Sequence, residues 1–415
     1  MAREMKNSGV QWIGDIPKDW GVVPNKYVMH KIKEICPVYG GEDILSLSVR
    51  GVNVRDLDAG GKMPTTFNGY QRVHPGNLLM CLFDMDVTPC CIGRINNEGL
   101  TSPAYSQFVL HQGSNREYFY YYYLMIDNTK ELVHLAKNLR HTITEDQLGN
   151  IKLPSPPLSE QKAIATFLDT KCAEIDGLLA DLDAEVKTLA EYKKSLIAET
   201  VTRGLNPNAP MKQSGIPWAD TIPAHWKVQK GKYTFTLLQR PVKEDDGVIT
   251  CFRDGEVTLR SNRREEGFTM STKEYGYQGI EPGDLVVHGM DGFAGSIGIS
   301  DSRGKATPVL NVLDSEQNKR YLMYYLRNMA YGDVFLSLST GIRVRSCDLG
   351  WKKLGEIRIV IPPLTEQKAI ADFLDTKCAA IDQAITDKTT QIETLKAYKA
   401  SLIYEYVTGK KQVAL

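Results

Sequence analysis

Apolar residues recur every seven positions over two long stretches of the chain. Leu168, Ile175, Leu182, Leu189 and Leu196 form one series, with Ala165, Cys172, Leu179, Val186 and Lys193 as its companion. Leu374, Ile381, Leu395 and Leu402 repeat it beside Ala371, Cys378, Ile385, Ile392 and Lys399, and Lys388 is the break in the second series. Paired series of this kind make the a and d seam of a coiled coil, so the spacing predicts two long helices packed on each other. Each stretch opens on a Pro-Pro pair, with Ser159 or Thr365 as the expected N-cap and Glu160 or Glu366 in the first turn, where a carboxylate suits the positive end of the helix dipole. Gly204 and Gly409 are the expected stops. About 44 residues at a rise of 1.5 Å extend roughly 65 Å, too long for a core helix of one compact domain.

Outside these stretches the pattern changes. From Val22 to Pro154 and from Val228 to Ile361, short apolar runs such as NLLMCLF at Asn77, QFVL at Gln107, DLVVHGM at Asp284 and IRIVIP at Ile357 alternate with Gly, Pro, Asn and Asp. They predict the strands of mixed α+β domains. The aromatic run from Tyr118 to Ile126, loosely matched by RYLMYYLRNM at Arg320, is read as a helix that sends most of its tyrosines into the core.

The chain is a tandem duplication. PPLSEQKAIATFLDTKCAEID at Pro156 returns as PPLTEQKAIADFLDTKCAAID at Pro362, and about 29 of the 47 positions that begin there are identical at an offset of 206 residues. MKNSGVQWIGDIPKDW at Met5 returns as MKQSGIPWADTIPAHW at Met211 with the same offset. The regions between keep only faint landmarks, such as HPGNLLM at His74 beside EPGDLVV at Glu281. The expected organisation is a first globular domain over 1–157, a helix over 158–204, a second globular domain over 205–363, and a second helix with a tail over 364–415. The fold class is α+β: two mixed α/β domains separated by two long helices that form an antiparallel coiled coil, in a pseudo-two-fold arrangement.

Composition narrows the function more than it identifies it. Among 415 residues, 50 Lys+Arg balance 50 Asp+Glu, 24% are charged and 42% hydrophobic, the profile of a globular protein with no bulk pull toward nucleic acid. The eight cysteines show no C-x-x-C pair and no zinc-ligand spacing with histidine, so no metal site is expected. The start MAREMKNSG does not read as a secretory signal, and the run Tyr118 to Ile126 is too short to span a bilayer. The chain is read as cytoplasmic, with reduced thiols and no membrane partner.

No catalytic constellation is found. There is no G-x-x-x-x-G-K-[ST], and the glycine-rich GMDGFAGSIG at Gly289 reads as a connection between strands. No Asn/Asp-Pro-Pro-aromatic sequence of the adenine-methyltransferase kind occurs. Glu160 with Lys162 and Glu366 with Lys368 form an E-x-K pattern but lack the upstream acid of a metal nuclease, so capping explains them better. His30, His74, His111, His134 and His141 are tied to no nucleophile motif.

Cations that would touch DNA, if DNA is the ligand, are Arg50, Arg55, Lys62, Arg72, Arg94, Lys137 and Arg140 in the first region. In the second they are Arg253, Arg260, Arg263, Arg264, Lys273, Arg303, Lys305, Arg343 and Arg345. Such side chains neutralise phosphates and make bidentate contacts to guanine. The interspersed Asp254, Glu256, Glu265 and Glu266 allow a solvated, internally compensated face on the same charges.

The sequences IKLPSPPLSEQKAIATFLD at Ile151, IRIVIPPLTEQKAIADFLD at Ile357 and GVQWIGDIPKDW at Gly9 resemble type I restriction-modification specificity subunits, over the whole chain and in that family's order of domain, helix, domain, helix. The second copy departs slightly, with Ala219-Asp220 where the first has Ile13-Gly14. The resemblance implies a non-catalytic reader of double-stranded DNA. Each globular domain would be a target recognition domain for one half of a gapped site, and the helix pair would set the gap. Two methyltransferase (modification) subunits would dock around the helices and bring S-adenosylmethionine for adenine-N6 methylation, and restriction/translocase subunits would bring ATP and Mg. The chain itself would bind no cofactor. Two other readings remain open: a specificity subunit whose partner fuses restriction with methylation, and a coiled-coil assembly scaffold that binds no DNA.

Overall fold

The structure is a computed structural model and describes residues 3–59, 64–136, 141–263, 275–338 and 349–413. Two compact units emerge, the first assembled from two separate parts of the chain and the second from one continuous part. Unit 1 is 1–183 with 390–415, and unit 2 is 184–389. The long helices Leu158–Arg203 and Leu364–Val407 are each divided between the units. Every unit therefore holds one globular part, the start of the helix that follows it and the end of the other helix.

In unit 1 a four-stranded antiparallel sheet runs in the order Ile92–Arg94, Leu78–Met80, Ser106–Leu110, Met29–Ile32. Beside it lie a three-stranded sheet built on Gln71–Val73 and a hairpin of Leu45–Ser48 with Gly51–Val54. Gly21–Pro24 pairs with Lys152–Ser155, which delivers the chain into the first long helix. Unit 2 repeats the plan: a four-stranded sheet ordered Thr236–Leu237, Leu310–Asp314, Leu285–His288, Ile297–Ile299, a hairpin of Ile249–Cys251 with Val257–Leu259, and Lys227–Lys230 paired with Arg358–Ile361. GMDGFAGSIG bridges two of these strands, as its glycines suggested.

Both aromatic runs are helices, Arg116–Thr129 and Lys319–Tyr331, and Tyr118, Tyr122, Tyr321 and Tyr325 are among the most deeply buried side chains. Their hydroxyls are satisfied inside the core. Tyr118 donates to the Val407 carbonyl at 2.8 Å in unit 1, and Tyr321 donates to the Val360 carbonyl at 2.9 Å in unit 2. The core of unit 1 joins Trp20, Ile164 and Leu168 to Leu402, Ile403 and Val407, and that of unit 2 joins Trp226, Ile370 and Leu374 to Ile197 and Val201. Folding of each unit thus requires both helices.

The heptad seam is real within each unit. Leu168, Ile175 and Leu402 are buried in unit 1 with Leu182 and Leu395 partly covered. Leu374 and Ile381 are buried in unit 2 with Leu189 and Leu196 partly covered. The lysines in the seam are bonded across it: Lys399 to Asp176 at 2.6 Å in unit 1 and Lys193 to Asp382 at 2.6 Å in unit 2. Lys388, the break in the series, pairs with Glu185. In each unit an early residue of one helix meets a late residue of the other, which makes the local packing antiparallel.

One expectation about the helix starts is corrected. The helices begin at Leu158 and Leu364, so Ser159 and Thr365 lie in the first turn and do not cap it. The prolines before them take the position outside the helix, and the Pro157 and Pro363 carbonyls accept from the Gln161 and Gln367 N–H groups. Proline, lacking an N–H, suits a helix start. Gly204 and Gly409 end the helices at φ of 75° and 71°, and a Cβ there would lie 2.9 Å from the Trp226 ring and 2.5 Å from Pro17. Glycine is required both for the turn and for that approach. Among the described residues no helix is long and apolar enough to cross a membrane.

Candidate nucleic-acid interface

Three kinds of contact fix each globular part on its helices, and each recurs in both units. Trp20 Nε1 donates to Glu160 Oε2 at 2.9 Å, and Trp226 Nε1 to Glu366 Oε2 at 2.9 Å. The E-x-K glutamates are therefore acceptors for a buried indole, which explains them without metal chemistry. Buried Gln161 accepts from the Asn115 N–H at 2.8 Å, and Gln367 from the Asn318 N–H at 2.9 Å. Asn115 and Asn318 in turn cap the aromatic helices. Asp169 accepts from Arg94 at 2.6 Å and Tyr121 at 2.8 Å, and Asp375 accepts from Tyr324 at 2.9 Å and from Arg320.

On this frame each unit carries the hairpin described above, held close by a strand glycine. A Cβ on Gly93 would lie 2.6 Å from Val52, and one on Gly298 would lie 1.9 Å from the Gly255 carbonyl oxygen. The hairpin tips differ in length and chemistry. In unit 1 the tip is Val49-Arg50, both exposed, and Arg50 has no carboxylate partner among the described residues. In unit 2 it is the longer Phe252–Glu256, where Arg253 pairs with Asp291 at 2.9 Å and Arg263 reaches Asp254 at 2.6 Å and Glu256 at 3.0 Å while covering the Phe252 ring.

The remaining candidate cations separate by role. Arg94 is tied to Asp169 and lies over Tyr120 at 4.4 Å; burial disfavours its charge, but the carboxylate more than compensates and its pKa is raised. Arg72 is held by Glu42 at 2.7 Å. Arg303 pairs with buried Asp246 at 3.0 Å and with Glu281. The Lys243 backbone N–H and then Arg303 hold the Asp246 carboxyl below its usual range. Arg55, Arg260 and Lys305 also have partners within the chain. Arg50 and Arg94 line one cleft of about 810 Å³ in unit 1 with Lys396 and Lys399, and Asp127 and Asp176 share its walls. Lys62, Lys137, Arg140, Arg264, Lys273, Arg343 and Arg345 lie outside the described residues.

A family model for the type I restriction modification DNA specificity domain matches residues 93–188 and 256–394, more than half of the chain. The chain belongs to this family. As a specificity subunit it is similar along its whole length to the putative type I restriction enzyme MjaX specificity subunit of Methanocaldococcus jannaschii, 24% identical over 97% of this chain and 96% of that one. The type I restriction enzyme StySPI specificity subunit of Salmonella potsdam is 23% identical over 64% of this chain and 62% of its own. A solved chain of a type I R-M system, from work on its complex assembly and conformational transition, has the same fold, with a TM-score of 0.67 at 14% identity over 95% of this chain and 99% of that one.

The residues Glu160, Gln161 and Asp169, which tie domain to helix, and Asp176, which ties helix to helix, were not singled out for these contacts from the sequence, nor were their equivalents 206 residues on. The signal that marks them was present: all are polar residues identical across the duplication.

Proposed function

We propose that each unit of this specificity subunit reads one half of a gapped, asymmetric site in double-stranded DNA, and that partner subunits perform all the chemistry. Two modification subunits would supply S-adenosylmethionine and methylate the N6 of an adenine flipped out of the duplex. Restriction subunits would add ATP- and Mg-dependent translocation and cleavage. In this reading the chain binds no cofactor and works in the cytoplasm. The observation that carries it is the pairing of a frame repeated at an offset of 206 residues with hairpins that differ between the units. Two readers on one frame, with unlike tips, call for two unlike half-sites. A net charge of zero fits a reader whose partners make much of the phosphate contact.

Co-expression with the modification subunit, followed by single-molecule mapping of N6-methyladenine, tests this. A two-part gapped motif that disappears when the chain is deleted is expected. Absence of a motif, or one that persists without the chain, would overturn the reading.

A further inference from the structure

Two clefts occupy equivalent places in the two units. That of unit 1 holds about 560 Å³ between the segment from Gly9 to Trp12 and the segment from Gln147 to Lys152. That of unit 2 holds about 530 Å³ between the segment from Gly215 to Trp218 and the segment from Lys353 to Arg358. Moving Val10, Trp12, Ile151 and Lys152 forward by 206 gives Ile216, Trp218, Ile357 and Arg358, each with matching chemistry. An indole and several hydrophobic side chains line both, interspersed in unit 1 with Gln11, His134, Gln147 and Asn150. The indole N–H groups are already bonded, Trp12 to the Tyr122 hydroxyl at 3.2 Å and Trp218 to the Tyr325 hydroxyl at 3.3 Å. Each mouth carries an exposed cation, Lys152 or Arg358, with no carboxylate partner among the described residues, and half-buried Lys353 adds a second cation in unit 2. Glu356, at the second mouth, is occupied by Lys230 at 2.6 Å and Lys232 at 2.8 Å.

We propose that this duplicated cleft docks one kind of protein partner in two copies, each inserting an apolar side chain that is flanked by a carboxylate. The volume suits such a guest, its apolar surface would be covered by the indole and isoleucine, and the carboxylate meets the cation at the mouth. A phosphate backbone finds few cations here, and a base-reading surface has to differ between the units, whereas the floor of these clefts keeps its chemistry and only the rim changes, from Gln147 and Asn150 to Lys353 and Glu356. The assignment rests on the proposed function, which makes the modification subunit the partner present twice.

The test uses the full chain co-expressed with the modification subunit. With p-benzoylphenylalanine in place of Gln11 or of Pro217, both exposed at the lip, light is expected to join the chain to the same partner segment from either position. Joining to DNA, to a second copy of this chain, back onto this chain, or to two different partner segments would overturn the docking assignment. In parallel, native mass spectrometry of the Lys152→Glu, Arg358→Glu double variant, whose substitutions lie on exposed side chains, is expected to show binding of the partner weakened on the order of tenfold or more per site. Two copies bound as tightly as to the parent would also overturn it. Methylation mapping in the same cells keeps the two claims apart: a gapped motif with undiminished partner binding sinks only the docking site, whereas no motif with the parent chain sinks the functional reading beneath it.

Discussion

Unit 1 fastens its sheet to the helices through Arg94, which comes from a strand, while unit 2 uses Arg320, which comes from the aromatic helix. Both reach the same acid of the duplication, Asp169 or Asp375, and both acids also take a tyrosine hydroxyl. The cation has changed element while the acceptor and its geometry stayed. The hairpin tips show the opposite: the same place in the fold, with neither length nor charge pairing retained. Between the two units the helix surface keeps the position of its acceptor, whereas the hairpin keeps its place and changes its chemistry.

If the frame is equivalent, breaking it costs the same on either side. Trp20→Ala and Trp226→Ala are each expected to cost about 3–5 kcal/mol, the usual range for truncating a buried aromatic. Two units need not share one transition, so hydrogen exchange read unit by unit is the proper measurement. Phenylalanine at these positions removes the indole N–H and keeps most of the packing, for a loss of about 1–2 kcal/mol. The loss should be similar in the two units, because a second side chain still engages the glutamate in each, Arg3 on Glu160 and His225 on Glu366. A much larger loss in one unit on Trp→Ala would show that the two frames are not equivalent.

The hairpins sharpen the comparison from the other side. Arg50→Ala is expected to relax one half of the methylated motif and leave the other intact, with a loss of discrimination of about 1–3 kcal/mol if the guanidinium reads a guanine. Arg253→Ala should relax the other half by less, because Arg253 has to leave Asp291 before it touches a base. Methylome mapping of the two variants reads both effects. Loss of activity spread evenly over both halves would assign these arginines to phosphate contact instead.

Much of this organisation was legible in the sequence. The heptad series, the duplication, the aromatic helices and the stops at Gly204 and Gly409 all follow from spacing and residue type, because they depend on local geometry. The division into units was not legible, since it depends on the end of each helix packing against a globular part distant in sequence, as Val407 does beneath Tyr118. Nor could the sequence sort the arginines. Arg50 and Arg303 look alike as letters, yet one is exposed at a hairpin tip and the other spans Asp246 and Glu281. Only the pairing of side chains from separate strands distinguishes a cation free to bind from one already bound.

The smallest difference lies at the mouths of the equivalent clefts, where unit 2 has Glu356 and unit 1 has Asn150. Lys230 and then Lys232 pull the Glu356 carboxyl from 4.5 to about 2. A carboxyl depressed in the folded state stabilises it above its unfolded pKa, and that contribution is lost as pH falls through the folded value. Glu356→Gln should therefore lower the stability of unit 2 slightly at neutral pH, with the gap to the parent closing between pH 4.5 and about 2. Because the three side chains are exposed, salt should shrink the gap as well. Asn150→Asp in unit 1 offers the control: Lys26 aligns with Lys232, but Pro24 stands where Lys230 does, so the new carboxylate meets half of the clamp. A pH response in that variant as large as the one in unit 2 would mean that Lys230 contributes little and that the clamp is the work of Lys232 alone.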